Sequence, residues 1–135
     1  MAEAVAAGRP ARPRITSTFT FMPGAYDAEF HALDEAIARV ARSLPGYLGE
    51  ETWENPSTGL VSNVYYWESL EALQALMQHP DHLAAKARQA QWLAGYQVVI
   101  AEVIASHGDG RIAHPLAGGV PLAGGPAAGR ASPLD

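Results

Sequence analysis

Residues 14–22, RITSTFTFM, place Ile15, Ser17, Phe19 and Phe21 on one parity and Arg14, Thr16, Thr18 and Thr20 on the other. That period of two predicts a β-strand with one apolar face. PGAYD breaks the strand, and Asp27 stands where a helix N-cap is wanted. Phe30, Leu33, Ile37, Val40 and Leu44 then recur at helical spacing, with Glu29, Asp34, Arg39 and Arg42 elsewhere on the wheel, until LPGY stops the helix. YLGEETWEN (47–55) and LVSNVYYW (60–67), joined by PSTG, predict a hairpin. Ser69 caps a second helix carrying Leu70, Leu73, Leu76 and Met77. HPDH interrupts it, because Pro80 has no N–H for the ladder but suits a new first turn. The helix resumes through Leu83, Ala87 and Trp92, Gly95 ends it, and YQVVIAEVIAS is the last strand.

The order βαββαβ implies an α+β, ferredoxin-like sandwich: a four-stranded antiparallel sheet with two helices on one face. The last strand is apolar on both parities, Val98, Ile100 and Ile104 against Val99, Ala101 and Val103. A strand of that kind asks for cover on both sides. A second copy is the simplest cover, so a homodimer closing into an α/β barrel is expected. Residues 1–13 read as a flexible arm, 14–107 as the folded domain, and 108–135 as a Gly/Ala/Pro-rich, solvated tail. Leu116, Val120 and Leu122 are the tail residues suited to docking on a partner subunit.

Charge narrows the partners. The net charge is −5 and no basic cluster exceeds the scattered arginines near the start, so nucleic acid is not expected. No apolar run nears the roughly 20 residues that span a bilayer, and the first residues lack the apolar stretch of an export signal, so a cytoplasmic home is expected. There is no cysteine, which removes disulfides and thiolate chemistry. G-x-S-x-G, Walker and dinucleotide motifs are missing, so neither flavin nor nicotinamide is expected, and no cofactor or metal is implied.

Chemistry concentrates in NVYYW, residues 63–67. Strand alternation sets Asn63, Tyr65 and Trp67 on one face and Val64 and Tyr66 on the other. Asn is depleted in strands, and its amide needs partners when buried, which marks Asn63 as a candidate pocket residue or an edge residue. Trp67 offers an indole N–H as well as packing area. His82, at the restart of the helix, is a candidate acid/base because imidazole titrates near neutrality. His31 sits among Asp27, Asp34 and Glu35 on what reads as a solvated, charged face.

YYWESLEALQALMQHPDHLAAKARQAQWLAGYQVVIAEV resembles the antibiotic biosynthesis monooxygenase (ABM) family of the dimeric α/β-barrel superfamily. The shared features are a strand ending in Trp, an acidic or Ser step into a Glu-Ala-Leu helix, a His-Pro-x-His turn, an Ala-rich helix and a Val-rich last strand. The resemblance spans residues 14–107. It implies a small cofactor-independent monooxygenase of secondary metabolism acting on an aromatic, polyketide-type molecule with O₂. Asn63 and Trp67 match the pair that holds the substrate and oxygen atoms; His82 or a cavity water would take the substrate's proton. The family's helix tyrosine falls on Leu73 and its helix arginine nearest Arg88 or Lys86. Ser17, Phe19, Phe21, Tyr65, Leu73, Leu76, Arg88 and Trp92 would then line the substrate cavity. Haem-degrading relatives need residues that fall here on Ser17, Leu76 and Lys86, and none matches. Two other readings stand beside oxygenation: a non-redox cyclase or isomerase using His82 as acid/base, and a ligand-binding dimer without catalysis.

Overall fold

The computed structural model describes residues 13–120. Seven elements follow in order: β1 (Ile15–Pro23), α1 (Ala28–Ser43), β2 (Tyr47–Asn55), β3 (Leu60–Trp67), α2 (Leu70–Met77), α3 (Pro80–Trp92) and β4 (Leu93–Glu102). The strands form one antiparallel sheet in the order β2-β3-β1-β4, the ferredoxin-like arrangement. The starts of the helices are set by their caps. Asp27 accepts from the Phe30 N–H and Ser69 from the Ala72 N–H. His79, through Nδ1, accepts from the Asp81 N–H just ahead of Pro80.

Register fixes the two faces of the sheet. Ile15, Ser17, Phe19 and Phe21 lie opposite Trp67, Tyr65, Asn63 and Val61 on β3, and opposite Glu102, Ile100, Val98 and Tyr96 on β4. This is the face toward the helices, where Ile15 and Trp67 pack with Ala41 of α1 and with Ala72, Leu73 and Leu76 of α2. The sealed core therefore sits at the Ile15–Trp67 end. Toward the other end Phe19 and Phe21 are only half-buried, while Tyr96, Val98 and Ile100 are exposed. The helix side of β1 and β4 is left as an apolar trough.

β4 begins earlier than the sequence suggests. Helix α3 stops at Trp92, Leu93 is already extended, and Gly95 is a strand residue rather than a helix terminator. The reason lies in the partner strand: Pro23 pairs with Leu93, and a Cβ on neighbouring Gly24 would strike the Trp92 carbonyl oxygen. Backbone packing thus ends the helix before its own sequence would.

The first part of the expected tail is not solvated. Ser106 and Val120 exchange backbone hydrogen bonds at 2.8 and 2.7 Å, and Leu116 and Val120 are buried. Pro115 lies over Gly49 of β2, and the His114 ring meets Tyr66 at 5.1 Å between centroids. Residues 108–120 hence cover part of the sheet face turned away from the helices, on their own subunit. Tyr66, on the face opposite Asn63, is engaged by this segment. Leu122 and residues 1–12 lie outside the described residues.

Candidate active site

Trp67 anchors the site. It is 0% exposed, and its Nε1–H donates to Ser17 Oγ at 3.2 Å. The indole is therefore spent on a protein acceptor. What it contributes is orientation: with one lone pair of Ser17 occupied, the hydroxyl proton is free to point into the space between sheet and helices.

Asn63 is held in a comparable way. Thr52 Oγ1 donates to Asn63 Oδ1 at 3.0 Å across the β2–β3 pair. With the carbonyl end engaged, both protons of the Asn63 amide remain available as donors on the helix-facing side. Tyr65 lies between the two. Its ring stacks on Trp67 with centroids 6.0 Å apart at 13°, and its hydroxyl has no hydrogen-bond partner among the described residues. Burial, with Glu50 and Asp34 nearby, pushes the Tyr65 phenol well above its ordinary range, so it stays a donor. Ser17, Asn63 and Tyr65 thus form a row of donors along one sheet face, continuous with Phe19 and Phe21.

The other sequence candidates have different fates. Leu73 and Leu76 belong to the sealed core, where they pack against Trp67 rather than line the open trough. Arg88 is engaged near the protein surface: Nη2 donates to Glu29 Oε1 at 3.0 Å, and the guanidinium lies 4.7 Å over the Trp92 ring. Trp92 is buried beside Phe30, and its Nε1 has no partner within hydrogen-bond distance among the described residues. The Asp27 carboxylate still feels that N–H, as a weak contributor to its lowered pKa behind the Phe30 backbone N–H.

His82 is half-buried with Nδ1 unpartnered among the described residues. Burial first, then Lys86, lowers its pKa, and the Met77 carbonyl opposes the shift from beyond normal hydrogen-bond length. It stays neutral at physiological pH. No hydrogen bond joins it to Ser17, Asn63, Tyr65 or Trp67 among the described residues.

Two carboxylates adjoin the wall that the sequence did not single out. Glu50 is the register partner of Tyr65, and its Oε1 accepts from Tyr47 Oη at 2.8 Å and Arg42 Nε at 3.0 Å. Asp34 lies on α1 two turns before the fully buried Ala41, in line with Phe30 and Ile37, on the sheet-facing stripe. Burial, then Glu50 and Glu35, raises its carboxyl pKa against the opposing pull of His31. More than a third of the residue nonetheless stays open to solvent. The signal was present in the sequence: position 34 follows Phe30 by four and precedes Ile37 by three, so a charge interrupts an apolar ridge. No group of three or more metal-ligating side chains occurs among the described residues. No helix there is long and apolar enough to cross a membrane.

No family model matches the chain. YqjZ of Bacillus subtilis, an uncharacterized protein, is 28% identical over 95 residues, covering 70% of this chain and 82% of that protein. Among solved structures, SnoaB, a cofactor-independent oxygenase from Streptomyces nogalater, superposes with a TM-score of 0.56 at 14% identity, covering 67% of this chain and 93% of that one. A candidate antibiotic biosynthesis monooxygenase from Chloroflexus aurantiacus gives a TM-score of 0.50 at 18% identity, covering 70% and 97%. At such identities the likeness speaks for the fold: the chain has the ABM-like α+β fold.

Proposed function

We propose that this ABM-like fold serves as a cofactor-independent oxygenase for a neutral, polyketide-type aromatic that enolises or ionises as a phenol. The supporting observation is the pair of locked donors, Asn63 fixed by Thr52 and Ser17 fixed by Trp67. Donors held in place before reaction stabilise developing oxyanions without reorganising. In the reaction envisaged, the substrate loses a proton and its enolate, held by Asn63 and Ser17, passes electrons to O₂. Oxygen bonds to the activated carbon, and loss of water leaves a quinone. The apolar trough of Phe19, Phe21 and Tyr96 suits a flat ring system. Anthrone is a fitting probe, since anthrone plus O₂ gives anthraquinone plus water. Quinone formation by the protein, lost in Asn63→Ala, is the expected result, whereas quinone formation at the uncatalysed rate overturns the reading.

Leu73 in the core, where quinone-forming enzymes of the resembling family have a tyrosine, favours a second reading. The same wall would then stabilise an enolate in a cyclisation or isomerisation, with product mass equal to substrate mass. Both readings include a second copy covering β4 on the face away from the helices, where Val99 is exposed.

A further inference from the structure

Resting on the enolate chemistry proposed above, we propose that Asp34 is the base that takes the substrate's proton, across the cleft from the Asn63–Tyr65 wall. The geometry carries this. Asp34 stands on the sheet-facing stripe of α1, in line with Phe30 and Ala41, yet it is open where Ala41 is sealed. It thus lies where the packed core gives way to solvent, on the β2–β3 side of the sheet. Glu50 on β2 and Tyr65 on β3, register partners on the facing sheet, both interact with it electrostatically. Glu50 is committed to Tyr47 and Arg42, whereas Asp34 has no hydrogen bond or ion pair among the described residues.

The groups facing Asp34 are known on every side: His31 and Glu35 on its own helix, Tyr26 just before that helix, and Glu50 and Tyr65 on the sheet. Carboxylates on both sides of the cleft, Asp34 on α1 and Glu50 on β2, repel an anionic substrate, which directs the site toward neutral acids. Crowding and the neighbouring carboxylates raise the affinity of Asp34 for a proton, which makes it a stronger base than a solvated aspartate. In the step itself the substrate C–H or O–H bond breaks and an Asp34 O–H bond forms. The electron pair stays on the substrate as an enolate or phenolate, held by the Asn63 amide and the Ser17 hydroxyl.

Anaerobic deuterium exchange at the acidic carbon of anthrone isolates this step from oxygen chemistry. The full-length protein is expected to accelerate exchange, with an acid limb in its pH profile. Asp34→Asn is expected to lose on the order of 100-fold of that acceleration and the acid limb with it. Glu71→Gln, which removes an exposed charge in the first turn of α2, is expected to retain both. Exchange by Asp34→Asn at the wild-type rate, with the fold confirmed by circular dichroism, overturns the assignment even if quinone still forms in air. Exchange without quinone in air keeps Asp34 as the base and removes oxygenation. Neither exchange nor quinone overturns both.

Discussion

Trp67 and Ser17 are joined by an indole N–H to hydroxyl hydrogen bond of 3.2 Å, made by the most enclosed large side chain among the described residues. Because the indole is buried, removing its acceptor leaves a donor with nowhere to turn. Ser17→Ala is therefore expected to destabilise the fold by about 1–3 kcal/mol in urea unfolding. Adding Trp67→Phe removes the stranded N–H, so the double variant should be more stable than the sum of the singles implies. Strict additivity would mean that the two side chains are not coupled.

Thr52 and Asn63 divide the labour differently. Thr52 holds the amide, and in the proposed reaction Asn63 is the one of the two that meets the substrate. Asn63→Ala is expected to lower turnover of anthrone on the order of 100-fold, as loss of an oxyanion donor does elsewhere. Thr52→Val keeps the amide but frees its rotation, so a smaller loss, about 10-fold, is expected. Equal losses would indicate that the wall acts through its packing rather than through one aimed donor.

Much of this frame is legible in the chain because turn chemistry and capping are local. The hairpin strands 47–55 and 60–67, and the caps Asp27 and Ser69, follow from residues within a few positions. The misplaced features depend on distant partners. Arg88 is drawn from the site by Glu29, 59 residues away. The segment 108–120 carries no periodicity, and its seat comes from contacts with Gly49 and Tyr66. Asp34 falls between these cases: its position on the apolar ridge was readable, but a charge there resembles a solvated face until the sheet opposite it is known.

β4 exposes Val99 at 52% on the face away from the helices, alongside Ala101. If a second copy covers this strand, a lysine there places an ammonium in an apolar contact. Val99→Lys is expected to convert a dimer to a monomer in light scattering, with the circular dichroism spectrum unchanged. A wild-type protein that scatters as a monomer refutes the dimer directly.

His82 ties stability to pH. Its folded-state pKa lies below the ordinary 6.5, chiefly through burial and then through Lys86. The unfolded chain thus binds a proton more readily than the folded one, and stability must rise with pH across that interval. The contribution is complete above about pH 6.5 and declines as pH falls toward the folded-state value. His82→Gln is expected to show a smaller fall in Tm than wild type between about pH 7.5 and 5.5. Parallel pH curves for the two proteins would place the titration elsewhere.

Gly49 shows how closely the returning segment is seated. Its φ of +150° is one that L side chains rarely adopt, and a Cβ there would lie 2.9 Å from both Cβ and Cγ of Pro115. An alanine must therefore either strain β2 at its bulge or displace Pro115, and with it the neighbours His114 and Leu116. Gly49→Ala is expected to cost about 1–3 kcal/mol. It should also speed amide exchange at Ser106 and Val120, whose backbone groups pair only through this return. Destabilisation without faster exchange at those two amides would confine the strain to β2 and show that residues 108–120 are held independently of Gly49.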